Sequence, residues 1–539
     1  MIIKYQGFIG KVGKINKKIN DIVDKDEIIL SIETKKGNKF IKAPFKGIIL
    51  NIFINENDEI KPNILLFEIK EIDNNIDNDS NLDLLIIGAG PGGYVSSIYA
   101  AKKGFKVTLV EKDKLGGTCL NVGCIPTKSL VKSSLVYKEI KNSNLFGIEC
   151  DNYNINMKEV IKNKDNIVNN LLSGIDTLMN KNNIQVIKGI CKFKDDNHVE
   201  INNKIYSFNN CIIATGSKIN NFININNNKI LDSTKALNDT NLVKSITIIG
   251  GGVIGLEFAF IYNNLGVKVN VIECQENILN FLDEDIRKEL YDICIKRGIN
   301  VITNGYVNEI KEINDFELNI NIKHKNNIIN IISNKVLLAT GRIPNLDDLN
   351  LNNTNIKYDK KIYVDDNLKT NIDNIYAIGD VTNIMQLAHV ASHQGIYVIN
   401  HLLNIKNNLK NNKKINYYEV PNVIFTDPEI AMIGYSEDYC IKNNISYKTS
   451  KFHFSSNGKA LTLHEEEGFI KLIMDKNTHK IIGGSIIGPD ASNLISTLTL
   501  IIKKGLTDKE INETIFAHPT ISEVIHEASL GLSIGSLHE

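Results

Sequence analysis

Cys119 and Cys124 lie in the run Gly116-Gly117-Thr118-Cys119-Leu120-Asn121-Val122-Gly123-Cys124-Ile125-Pro126-Thr127-Lys128. On an ideal helix, Cα atoms five positions apart are separated by about 8.6 Å. A disulfide spans less than roughly 7 Å. If the two thiols bond, the segment must bend between them, and Gly123 and Pro126 make that distortion easier. A strained bond of this kind is readily reduced, which suits turnover. The chain has eight cysteines, and the other six (Cys150, Cys191, Cys211, Cys274, Cys294 and Cys440) follow no metal or disulfide framework. Most of them read as inert, partly buried thiols, and no metal site is expected. In a reducing compartment a thiol pair in a glycine-rich run is catalytic rather than structural. A thiol–disulfide cycle also needs a base that takes and returns a proton. His518 and Glu523 flank a proline-containing turn ahead of a helix, in a chain with only 11 histidines. A carboxylate beside the imidazole would fix its tautomer and raise its basicity.

Two glycine loops are expected to position this chemistry. The apolar strand Asp83–Ile87 runs into Gly88-Ala89-Gly90-Pro91-Gly92-Gly93, and a later strand, Ile246–Ile249, runs into Gly250-Gly251-Gly252-Val253-Ile254-Gly255. In each loop the first glycine (Gly88, Gly250) permits the tight turn. The second (Gly90, Gly252) lets the backbone approach a pyrophosphate, and the third (Gly93, Gly255) lets helix and strand pack closely. The helix N-terminus then stabilises phosphate charge. Glu111 and Glu273 close the following strands, each 23 positions after the first glycine of its loop. One such loop is weak evidence, whereas two with the same spacing to an acid make a strong signal. Each acid is placed to accept hydrogen bonds from a ribose. A carboxylate there repels a 2′-phosphate, so the second site should prefer NAD over NADP.

The 539 residues are too many for one core and fit three or four domains. Hydrophobic residues make up 42%, charged residues 23%, and formal net charge is zero, so neither a nucleic acid nor a membrane surface is an expected partner. Met1–Gly7 shows no signal-peptide or transit pattern and no apolar run is long enough for a bilayer, so the expected location is cytoplasmic. Residues 1–70 alternate short apolar stretches with Gly, Asn and Pro, the mark of a small all-β unit. Its polar hairpin tip, Glu33-Thr34-Lys35-Lys36-Gly37-Asn38, carries Lys36 between two strands, where a covalently modified carrier lysine would sit. Residues 71–80 are acidic and polar and read as a flexible linker. About ten residues reach roughly 33 Å extended, or a root-mean-square span near 17 Å as coil.

Beyond these motifs the chain carries Ala214-Thr215-Gly216, Ala339-Thr340-Gly341-Arg342-Ile343-Pro344-Asn345, Ala377-Ile378-Gly379-Asp380, Phe425-Thr426-Asp427-Pro428-Glu429 and His518-Pro519-Thr520-Ile521-Ser522-Glu523. With the loops and the cysteine run, in this order from residue 81 to the end, the chain resembles the flavin disulfide reductases of the dihydrolipoamide dehydrogenase family. Residues 1–70 resemble a lipoyl domain through Ile32–Gly37 and Ala43–Gly47, although Lys35 stands where an Asp is usual. The resemblance implies an α/β chain with two Rossmann-like dinucleotide-binding domains and an α+β C-terminal dimerisation domain, preceded by a small all-β lipoyl domain of flattened-barrel form. The implied domains are 1–70 (lipoyl), 71–80 (linker), 81–218 (first part of the FAD-binding domain), 219–340 (NAD-binding), 341–415 (FAD-binding or central) and 416–539 (dimerisation interface).

By the same resemblance the first loop binds FAD and the second binds NAD. Gly216 and Gly341 belong to the motifs lining the cofactor sites, Asp380 holds the flavin's ribityl chain, and Ala388 lies near the ring. Lys128 and Glu257 pair near flavin N5. Cys119 exchanges disulfides with dihydrolipoyl groups, and Cys124 faces the flavin as the charge-transfer thiolate. His518, oriented by Glu523, comes from the other subunit of a homodimer, and lipoate is attached to Lys36. The implied reaction oxidises protein-bound dihydrolipoyl groups and reduces NAD⁺. The implied partner is the lipoyl-bearing acyltransferase subunit of a 2-oxo-acid dehydrogenase complex. Two rivals follow from the same residues. One is a glutathione- or mercuric-reductase-like enzyme, which Glu273 and a C-terminus without a cysteine pair oppose. The other is a non-catalytic lipoyl-bearing scaffold, which the intact Cys119, Cys124, His518 and Glu523 oppose.

Overall fold

The computed structural model describes residues 2–7, 9–35, 37–45, 47–71, 81–220, 227–409 and 413–539. Lys36 and linker residues 72–80 lie outside the described residues. The chain divides into two compact units, Met1–Asn81 and Leu82–Glu539.

The first unit is all β. One four-stranded sheet has the order Ile2–Lys4, Leu65–Glu71, Gly47–Ile52, Ile22–Val23, and the other has the order Gly37–Lys42, Ile28–Thr34, Gly10–Ile15, Glu59–Ile60. All pairings are antiparallel. Val12, Ile32, Ile49 and Phe67 share the core between the sheets. Strand Ile28–Thr34 pairs with Gly37–Lys42 through Glu33 with Asn38 and Thr34 with Gly37, which forms the expected hairpin. Glu71, read from sequence as the first linker residue, instead ends the strand Leu65–Glu71.

The second unit holds three larger sheets. The first has the order Gln185–Lys188, Val107–Glu111, Asn81–Ile87, Lys204–Ile213, His198–Ile201, Cys191–Phe193, with Ile375–Ala377 also pairing Lys204–Ile213. Val107–Glu111 runs parallel to both of its neighbours, and Leu84 to Ile87 are all buried, as parallel strands covered on both faces require. The second sheet is all parallel, in the order Ile230–Asp232, Lys335–Leu338, Ser245–Ile249, Lys268–Ile272, Asn300–Ile302. Each sheet releases its glycine loop at the carboxyl end of a central strand, where open α/β sheets bind ligands. The third sheet is antiparallel, in the order Asn422–Ile424, Glu429–Gly434, Ile481–Gly488, Phe469–Asp475, Tyr447–His453. Helices Ala491–Lys504 and Glu523–Gly531 pack against it around Leu472, Leu498 and Val524. The chain is therefore α/β with two Rossmann-like sheets, an α+β C-terminal part and an all-β leading unit.

The second and third sheets are joined through buried charge. Lys471 is fully buried, and its Nζ lies 2.9 Å from Asp283, 2.9 Å from Asp285 and 2.7 Å from Glu437. Asp285 also meets Lys451 at 2.7 Å. An ammonium thus fills the one cluster of metal-capable side chains found among the described residues.

Candidate redox and nucleotide site

The two glycine loops are built alike. Gly88 has φ +99°, and a Cβ there would lie 2.5 Å from the Ala214 carbonyl oxygen. Gly250 has φ +114° and meets the Ala339 carbonyl in the same way. A Cβ on Gly93 or Gly255 would fall on the carbonyl oxygen of Gly88 or Gly250, which holds helix against strand. Gly90 and Gly252 differ from these, because a Cβ at either would meet nothing within 4 Å. They are also the N-caps of helices Pro91–Lys102 and Val253–Asn264. Each loop therefore leaves open space in front of a helix N-terminus, the cradle a pyrophosphate needs. Behind the first loop, Glu111 accepts from Ala89 N at 2.7 Å and from Asp113 N at 2.8 Å. Behind the second, Glu273 accepts from Gly251 N at 2.7 Å and from Gln275 N at 2.8 Å. The equal spacing in sequence is thus an equal hydrogen-bond pattern in space.

The cysteine segment starts on the first loop. Gly116 N donates to Ala89 O at 2.8 Å, and a Cβ on Gly117 (φ +56°) would come within 2.6 Å of Gly90 Cα. Helix Gly117–Val122 carries Cys119, and helix Cys124–Lys141 begins with Cys124. The break falls at Gly123, where a Cβ would lie 2.8 Å from the Thr118 oxygen. This is the bend the pair requires. Pro126 has no part in the break, because it sits in the first turn of the second helix, where a missing N–H costs nothing.

Both cysteines are free thiols, Cys119 partly buried and Cys124 exposed to the cavity. The Cys119 thiol donates to the Cys124 sulfur, and this bond is the main reason the Cys124 thiol is lowered to about 7. Burial opposes the shift, the Lys128 ammonium supports it and the Glu257 carboxylate opposes it. The same hydrogen bond, with burial, pushes Cys119 far above the usual thiol range. Of the two, Cys124 is the sulfur poised to be a thiolate near neutral pH.

Charged side chains surround the pair. Lys128 Nζ lies 2.9 and 3.0 Å from the two Glu257 oxygens and 4.4 Å from the centroid of the Phe425 ring. Phe425 N donates to Glu257 at 3.1 Å. On another side, Ser217 Oγ donates to Asp380 at 2.6 Å. Arg342 donates through Nε to Ser217 Oγ at 2.8 Å, and through Nη2 to Ser217 O at 2.7 Å and Thr118 Oγ1 at 3.3 Å. Burial raises the Asp380 carboxyl against the opposing pull of Ser217 and Arg342.

One cavity of about 1360 Å³ connects these parts. Single-ligand pockets run roughly 300–1,000 Å³, so this one has room for more than one ligand. Its wall includes Gly88, Gly90, Glu111, Cys119, Cys124, Lys128, Gly216, Gly250, Gly252, Glu257, Glu273, Gly341, Asp380 and Ala388. Gly93 and Gly255 stand behind the loops. His518 and Glu523 are absent from the wall. The His518 side chain is 79% exposed, with Nδ1 2.9 Å from Glu523 Oε1, while Thr520 N donates to the other Glu523 oxygen at 2.8 Å. One copy of the chain therefore does not bring this imidazole to its own thiols.

Arg342, Thr118 and Phe425 stand inside motifs read from the sequence but were given no site role there, and Ser217 was overlooked. A lone arginine between the apolar strand Lys335–Leu338 and Pro344 was the available signal.

Two Rossmann-like folds sharing a cavity with a thiol pair define the class, an oxidoreductase that joins dinucleotide sites to disulfide chemistry. Residues 82–395 match the family described as pyridine nucleotide-disulphide oxidoreductase, and residues 420–529 match that family's dimerisation domain. The chain belongs to the pyridine nucleotide-disulphide oxidoreductase family. Residues 7–69 match the family described as biotin-requiring enzyme. Among curated relatives, dihydrolipoyl dehydrogenase from Geobacillus stearothermophilus is 38% identical over 83% of this chain and 95% of its own length. The dihydrolipoyl dehydrogenase of Mycoplasma genitalium is 36% identical over 82% of this chain and 96% of its own. Among solved structures, the HOCl-induced flavoprotein disulfide reductase RclA from Escherichia coli superposes with a TM-score of 0.72 at 25% identity, covering 83% of this chain and 99% of that one. LpdA from Mycobacterium tuberculosis shares the fold with a TM-score of 0.76 at 23% identity, over 83% of this chain and 99% of that one. Among the described residues no helix is long and apolar enough to cross a membrane.

Proposed function

We propose that this chain is a dihydrolipoyl dehydrogenase, which oxidises dihydrolipoyl groups to the lipoyl disulfide and reduces NAD⁺ to NADH with release of one proton. The observation that carries this reading is the pair Cys119–Cys124, seated on one glycine loop and open to a cavity that the second loop also lines. Gly90 and Gly252 leave the space a pyrophosphate needs, and Glu111 and Glu273 stand at the ribose positions, so the residues present fit two dinucleotides. FAD in the first site and NAD in the second supply a two-electron path away from the thiols.

The oxidised enzyme carries a Cys119–Cys124 disulfide. A dihydrolipoyl thiolate attacks the Cys119 sulfur, the Cys119–Cys124 bond breaks, and Cys124 leaves as the thiolate that its hydrogen bond and Lys128 already favour. The second substrate sulfur then attacks the first and releases Cys119 as a thiol. One disulfide has then been exchanged for another, and two electrons reside on the enzyme dithiol. His518 takes the substrate proton at Nε2, because Nδ1 is committed to Glu523. Since His518 does not line its own chain's cavity, the homodimer reading assigns His518 of a second copy to the cysteines of the first. Lys128, Glu257 and Asp380 orient the flavin, with Gly216, Gly341 and Ala388 lining its site.

The domain division in this reading is 81–218 with 341–415 for FAD, 219–340 for NAD, 416–539 for the dimer interface, 1–71 as a lipoyl arm modified on Lys36, and 72–80 as its tether. A cytoplasmic acyltransferase subunit of a 2-oxo-acid dehydrogenase complex is the partner. The test is dihydrolipoamide-dependent NADH formation by holoenzyme, with glutathione disulfide and NADPH as the competing pair. Turnover with dihydrolipoamide and NAD⁺ alone is expected, and a preference for NADPH and glutathione disulfide would overturn the assignment.

A further inference from the structure

Two large aromatic side chains stand in the wall of the cavity, and the reaction does not use them. Phe281 is 50% exposed and Tyr306 is 58% exposed, and both line the second loop's lobe. Backbone bonds fix where each stands. Leu279 N donates to Gly251 O at 3.0 Å, which holds the turn carrying Phe281 against the glycine loop. Gly305 N donates to Glu273 O at 2.9 Å and Asn304 N to Gln275 O at 2.8 Å, which holds Tyr306 beside Glu273. An exposed ring fixed at a cavity wall is a surface waiting for an apolar or aromatic face. The corresponding rim of the first lobe carries Lys112, Asp113 and Lys114 instead.

We propose that Phe281 and Tyr306 form an aromatic clasp for the adenine ring of NAD. This rests on the NAD reading of the second lobe. The acid after the second strand takes the adenosine ribose, so the base attached to that ribose must lie just beyond Glu273, where these rings stand. Among the described residues from 249 to 307, no lysine or arginine lines the cavity. The rim is therefore apolar and acidic, which selects a neutral purine beside an unphosphorylated ribose.

The test is ADP-ribose binding to the flavin-loaded full chain by calorimetry, with steady-state kinetics alongside. Tyr306→Ala and Phe281→Ala are each expected to weaken ADP-ribose about thirtyfold, the middle of the range for losing one base–aromatic stack. KM for NAD⁺ is expected to rise by a similar factor with little change in kcat, and Tyr306→Phe to restore both. Flavin reduction by dihydrolipoamide, which needs no NAD, is expected to be unchanged. ADP-ribose affinity unaltered in both alanine variants would overturn the clasp, as would an equal loss of affinity for nicotinamide mononucleotide. If wild-type protein failed to oxidise dihydrolipoamide, the functional reading would fall, while ADP-ribose binding would still judge the clasp.

Discussion

Lys128 and Glu257 act on the Cys124 thiol with opposite sign. The ammonium favours the thiolate and the carboxylate disfavours it, while the Cys119 hydrogen bond is the largest single cause of the fall to about 7. Lys128→Met removes the cation and leaves Glu257 unopposed, so both changes push the thiol up. Glu257→Gln removes the anion and pushes it down. Shifts in opposite directions are expected, read from the pH dependence of the long-wavelength absorbance of reduced holoenzyme. His518→Gln removes the proposed base, and a fall in turnover of about 10²- to 10⁴-fold is expected with flavin content unchanged. The thiols were legible because both lie in one short run. The Lys128–Glu257 pair was not, because its members are 129 positions apart and only the family resemblance joined them. Arg342 escaped for the same reason, since its partners Thr118 and Ser217 are 224 and 125 positions away.

The third glycines test the assignment of the two loops at the scale of elements. A methyl on Gly93 would collide with the Gly88 carbonyl, and one on Gly255 with the Gly250 carbonyl. Gly93→Ala is expected to purify without flavin. Gly255→Ala is expected to keep flavin and to accept electrons from dihydrolipoamide, but not to pass them to NAD⁺. Absorbance spectra and single-turnover reduction separate the two outcomes. The loops were readable because glycine spacing and a following acid are local patterns. The break at Gly123 was readable too, since five helical positions cannot close a disulfide, whereas the part given to Pro126 was an over-reading of a residue that suits a helix start. Lys471 was opaque. In the strand Phe469–Asp475 it is one charge among apolar neighbours, and only the fold brings Asp283, Asp285 and Glu437 to it. Lys471→Met leaves those carboxylates facing one another, and a loss of about 3–5 kcal/mol is expected for breaking a buried ion pair. Chemical denaturation should show it as a lower midpoint for the unit holding these sheets.

For the whole molecule, an exposed His518 and two compact units imply that function extends beyond a single body. The leading unit has its own core, so removal of residues 1–80 is expected to leave turnover of free dihydrolipoamide within about twofold. Intact mass of the full chain should show one lipoyl adduct in the Glu33–Gly37 hairpin, and an unmodified hairpin in protein from a lipoylating host would remove the arm's assigned role. The all-β character of this unit was legible from its short apolar stretches and turn residues, whereas the completion of the site by a second copy was implied only by resemblance. The most direct measurement concerns the sulfur pair itself. Holoenzyme is reduced anaerobically with NADH, treated with arsenite, and assayed for dihydrolipoamide-dependent NADH formation. Activity is expected to disappear only when reduction precedes arsenite, and to return on adding a competing dithiol. Full activity after reduction and arsenite would contradict a Cys119–Cys124 pair that relays electrons between dihydrolipoyl groups and NAD⁺.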